Sequence, residues 1–78
     1  MTTLDTIAIN ERVIVTGVSD ADPGLRQKLA VLGVVEGAEL EVLNESPFKD
    51  PISVRVLRSV LAMRRAEARA VLVSRTQN

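Results

Sequence analysis

Asp20, Asp22 and Asp50 come nearest to a reactive site by type and setting. They fall in two turn-forming segments, "SDADPG" (19–24) and "SPFKDP" (46–51). Loop carboxylates can hold a hard cation weakly through oxygen ligands, although their commoner role is to cap helices and turns. Nothing else joins them. The chain has no His and no Cys, which removes the commonest general base, the commonest metal ligand and any thiolate nucleophile. No nucleophile is paired with a base, so enzymatic activity is not expected, and neither a metal site nor a cofactor.

Two groups of cations offer other chemistry. Arg55, Arg58, Arg64, Arg65 and Arg69 can form a basic strip of the kind that tracks a phosphate backbone. Single-strand binders, however, stack bases on aromatic rings, and Phe48 is the one aromatic residue here. Residues 1–50 carry nine Asp and Glu against four Lys and Arg, whereas 51–78 carry six Arg against Glu67 alone. The net charge is still zero, which weakens a nucleic-acid reading. Arg26 and Lys28 form the second group, inside a short helical segment.

That helix is specified locally. Asp22 is placed to be its N-cap and Pro23 its first residue. Leu25, Leu29 and Leu32 follow at spacings of four and three, on one face, with Arg26 and Lys28 pointing elsewhere. Gly33 suits the left-handed residue that ends a helix. A helix over 23–32 is marginal alone in water and must dock its leucines on something.

The rest of the chain supplies a sheet. "ERVIVTGV" (11–18) reads as a strand with a bulge or bend at Gly17. Gly37 permits a turn into "AELEVLNE", where Leu40 and Val42 alternate with Glu39 and Glu41. Ile52, Val54 and Val56 point inward in "ISVRVLR". The strands 52–58 and 59–64 form a hairpin about Leu57–Ser59. Residues 65–68 make one helical turn, 70–75 the last strand and 76–78 a frayed tail. Leu4 and Ile7 cover one end of the core. One helix cannot supply the crossovers of a parallel fold, so a mainly β single domain over 1–78 is expected. Its five antiparallel strands close into a small barrel that hides its edges, and the interior of so small a barrel is filled by side chains.

The opening "MTTLDTIAIN" has no basic start followed by a long apolar run, so no signal peptide is expected. The longest apolar runs fall well short of the ~18–20 residues of a membrane span. The absence of Cys suits a reducing, cytoplasmic setting.

"LRQKLAVLGVVEGAELEV" resembles the signature of the FeoA family, in which a leucine-spaced helix ends at Gly and a second Gly precedes a strand. "SPFKDPISVRV" and "LAMRRAEARAVLV" are similar to the family's later segments, in the same order and spacing, over roughly residues 4–73. Two positions depart from the family pattern. Asn10 and Arg58 stand where Gly is usual, which would strain Arg58 or widen the 57–59 turn. The resemblance implies an SH3-like five-stranded barrel with one inserted helix. It also implies a small cytosolic accessory protein of bacterial ferrous iron uptake, acting on the FeoB membrane transporter and its GTP-hydrolysing domain. Ferrous iron prefers imidazole or thiolate alongside carboxylate, so any link to iron is expected to be indirect. Polyproline recognition needs an aromatic-paved groove, which one Phe cannot build. Partner contact is expected through the helix, with Leu25, Arg26, Lys28 and Leu29 as the candidate residues. The alternatives are a nucleic-acid-binding barrel and a stand-alone regulatory domain like the C-terminal domain of diphtheria-toxin-repressor-type regulators.

Overall fold

The computed structural model describes residues 2–45 and 50–75. Most of the turn expected over 46–51 and the tail 76–78 lie outside them. Six strands form one antiparallel sheet: β1 (Thr2–Thr3), β2 (Arg12–Val18), β3 (Glu39–Glu45), β4 (Ile52–Val56), β5 (Ser59–Met63) and β6 (Val71–Arg75). Two helices interrupt it, α1 (Pro23–Val31) and α2 (Arg65–Ala68), and a 3-10 turn spans Leu4–Thr6.

The strand order is β1-β6-β2-β3-β4-β5. This corrects the expectation of a closed five-stranded barrel in two respects. Thr2 and Thr3 add a sixth, two-residue strand that pairs with β6 (Thr2↔Val73, Thr3↔Leu72). The ladder is also open, since β1 and β5 are its two edges and do not pair with each other. The chain leaving β1 meets the chain leaving β5 through helical turns instead. The Arg65 guanidinium donates to the Asp5 carbonyl at 2.7 Å, and Arg69 lies 3.6 Å from the Asp5 carboxylate.

One face of the sheet is buried and the sheet coils around it. Val13 and Val15, Leu40 and Val42, Ile52, Val54 and Val56, Met63, and Val71 and Val73 all point inward. This is the period-2 alternation that fixes register, because a slip of one residue would expose the whole set. The register shifts between Val15 and Gly17 and again between Val42 and Asn44. Such bulges bend strands and increase twist, and the first lies where Gly17 suggested it. Leu4, Ile7, Leu29, Val34 and Ala68 complete the core.

The helix ends follow local chemistry. The Asp22 carboxylate accepts from the Leu25 N–H at 3.1 Å, and Pro23 opens the helix. At the other end the Val34 N–H donates to the Leu29 carbonyl at 2.9 Å and the Gly33 N–H to the Ala30 carbonyl at 3.0 Å. These two bonds make a Schellman motif with Gly33 as its left-handed residue, φ 94°. Gly37 also has positive φ, 91°. A Cβ on Gly33 would lie 3.2 Å from Val56 Cγ1, whereas one on Gly37 would meet nothing within 4 Å. Both alanine substitutions are expected to cost about 1–2 kcal/mol from backbone strain. Gly33→Ala should cost more, because Val56 must also move. Urea denaturation of the two variants measures the difference, and equal losses would show that the Val56 contact yields freely.

Asn10 takes positive φ, 71°, a conformation in which Asn is enriched. The hairpin turn departs from expectation. Val56 pairs directly with Ser59, so the turn has only two residues, Leu57 and Arg58. The positive φ, 56°, falls on Leu57 and not on Arg58. Two-residue hairpins need positive φ at the first turn position, and Leu57 occupies it. The turn is therefore not widened, and the strain sits one residue earlier.

Candidate interaction surface

Helix α1 carries the four candidate protein-contact residues, Leu25, Arg26, Lys28 and Leu29. Leu29 is 2% exposed and lies in the core, so it supports the helix from beneath and cannot itself form a contact surface. Leu25 is half-buried and packs on the core. Leu32, expected on the same ridge, is exposed because it stands at the C-cap, where the helix has already ended. Arg26 is exposed. Lys28 is not an unengaged cation: its ammonium lies 3.0 Å from a Glu67 carboxylate oxygen and ties α1 to α2.

Glu67 is held from two sides. It accepts the Arg64 backbone N–H at 2.9 Å, closing the first turn of α2, and the Lys28 ammonium. The Arg64 N–H and then the Lys28 bond hold its pKa below the ordinary glutamate value. Glu11 is lowered similarly, first by the Ala8 N–H and then by Arg75. A depressed carboxylate pKa adds stability that is fully present above the unfolded glutamate pKa near ~4.3 and is lost as pH falls through the lower folded value. Glu67→Gln keeps an acceptor for the Arg64 N–H but removes the charge. Its urea midpoint should therefore fall less steeply than the parent's between about pH 5 and 3, and parallel acid limbs would contradict this role.

The residues that sequence reasoning missed are apolar. Val31 is 76% exposed, and Leu32, Val35, Leu57 and Val60 are also open to solvent. Gly33 sits against the buried Val56, which brings the end of α1 close to the strand that leads into the hairpin turn. One signal was available: of the adjacent pair Val34 and Val35 only one can face the core. Val34 does, leaving Val35 outside.

Arg12, Glu39, Leu40, Glu41, Arg55 and Leu57 line an open groove of about 220 Å³. Cross-strand pairing sets Glu41 between Arg12 and Arg55, and charges of alternating sign leave it no single polarity. The three aspartates do not converge. Asp22 caps α1 and Asp50 accepts the Arg65 N–H at 3.0 Å. Among the described residues no cluster of three or more metal-ligating side chains exists, and no helix is long and apolar enough to cross a membrane.

The FeoA domain profile matches residues 2–75. The chain belongs to the FeoA family. FeoA domains are small SH3-like modules associated with ferrous iron transport. The FeoA protein of Chlorobium tepidum shares 38% identity at a TM-score of 0.90, covering 97% of this chain and 71% of that one. The zinc-complexed FeoA of Stenotrophomonas maltophilia, a prokaryotic SH3 domain protein, shares 28% identity at 0.85, covering 95% and 91%. A manganese-dependent transcriptional repressor shares 25% identity at 0.87, covering 96% of this chain but 41% of its own. No curated protein matches the chain. The mainly β, SH3-like expectation holds in this coarser form, with the sheet open rather than closed.

Proposed function

We propose that this FeoA-family chain is a cytoplasmic accessory protein without enzymatic activity. It acts in ferrous iron uptake by binding the FeoB transporter, through the transporter's GTP-hydrolysing cytosolic part. The observation that carries this reading is the exposed apolar group at the end of α1, on a domain that has neither His nor Cys. Contiguous exposed apolar surface marks interaction sites. Leu25 and Arg26 lie in the first turn of α1, the first half-buried and the second exposed, with Arg26 steering encounter. Leu29 holds the helix in place. Lys28 contributes only by leaving Glu67, and a surface pair of this kind is worth ~0.2–1 kcal/mol.

The test is affinity for FeoB's cytosolic part. Val31→Glu with Val35→Glu changes two exposed residues and should weaken binding at least tenfold while the fold persists. Undiminished affinity would remove this surface from the interface. The basic strip does not favour nucleic acid, because Arg55 faces Glu41 at 4.0 Å and Arg65 and Arg69 engage Asp5. The repressor likeness supports a regulatory-domain reading as the second choice, and FeoB binding separates the two.

A further inference from the structure

Strand β5 is an edge of five residues with only β4 beside it. The two-residue turn makes Val56↔Ser59 a hydrogen-bonded pair, and the pattern then repeats at Val54↔Leu61 and Ile52↔Met63. The backbone groups of Ser59, Leu61 and Met63 therefore face β4, while the N–H and C=O of Val60 and Ala62 face outward. Nothing among the described residues bonds to those outward groups. The strand itself, Ser-Val-Leu-Ala-Met, has no charge and no proline, the usual blocks to edge pairing. Val60 and Ala62 are both exposed. Arg58 and Arg64 flank the strand, also exposed; neither makes an ion pair within 4.0 Å among the described residues, and Arg64 acts on Glu67 only as the weakest of the charges that lower it.

We propose that β5 is a strand-addition site. It takes an extended segment of a partner protein that has an apolar middle and acidic residues six positions apart. The outward groups of Val60 and Ala62 supply the main-chain bonds of such recognition, and Arg58 and Arg64 select the acidic ends. A second copy of this chain fits poorly. Antiparallel self-pairing that satisfies Val60 and Ala62 centres on Leu61, and it sets Arg58 opposite the other copy's Arg64 at both ends. Like charges directly opposite are destabilising. A five-residue edge also falls far short of the ~20–30 residues a side of a stable interface. The site rests on the reading that this domain works by protein contact, but it uses neither α1 nor the apolar group beside it.

The probe is a seven-residue peptide, acetylated and amidated, with glutamate at both ends and alternating valine and threonine between. Titrated into the ¹⁵N-labelled chain, it should shift the amides of Val60 and Ala62 and slow their hydrogen exchange. Ala62→Pro removes an outward N–H without breaking a ladder bond and should weaken binding at least tenfold. Arg58→Glu with Arg64→Glu leaves the backbone untouched and should do the same. The proposal is overturned if saturating peptide leaves β5 unshifted, or if both variants bind as the parent does. It is equally overturned if the parent is a dimer that Ala62→Pro dissociates, since the occupant is then a second copy. FeoB is absent from this experiment, so it can fail while FeoB binding holds, and the reverse.

Discussion

Replacing Leu29 with alanine should destabilise the domain by about 2–5 kcal/mol. Leu29 is the one buried residue of α1. Its side chain joins the helix to the sheet, and its carbonyl accepts the Val34 N–H that closes the helix end. A nine-residue helix has little stability of its own, so removing its anchor leaves a cavity and frees the helix together. Small domains have roughly 5–15 kcal/mol in total, so the loss is a large share. Chemical denaturation measures it directly. A loss below about 0.5 kcal/mol, the range of ordinary surface changes, would mean that α1 is not docked through this residue.

Leu4→Ala should cost a similar ~2–5 kcal/mol. Leu4 is completely buried although it belongs to a 3-10 turn. It belongs to the turn that follows β1 and packs on α2 and β6, the turn whose Asp5 engages Arg65 and Arg69. Denaturation of Leu4→Ala with a surface-like loss would show that this turn is not held to the core through Leu4.

Most local structure was legible because its causes are local. Asp22, Pro23 and Gly33 mark the two ends of α1 through bonds spanning a few residues, and strand alternation names the inward residues without knowledge of the fold. Closure was not legible, because it depends on whether two edges meet. That is decided by bulges at Val15/Gly17 and Val42/Asn44 acting at a distance, and by a two-threonine strand too short to show a period. The partner of Lys28 was hidden for a similar reason, since Glu67 lies 39 residues away. Without that knowledge Lys28 reads as an unengaged cation beside Arg26. Leucine spacing also misled at Leu32, because a helical period says nothing about where the helix stops. The strain at Leu57 was misplaced by one residue, since only the register Val56↔Ser59 decides which residue opens the turn.

The central proposal is that this protein touches FeoB through the end of α1 and the hairpin turn. Adding unlabelled FeoB cytosolic part to the ¹⁵N-labelled chain and following every amide resonance tests this directly. The largest shifts should gather on Val31, Leu32, Val35 and Leu57, with the buried residues of β2 and β3 little changed. Saturable binding that leaves those four unmoved, or no binding at concentrations where related complexes form, would contradict it.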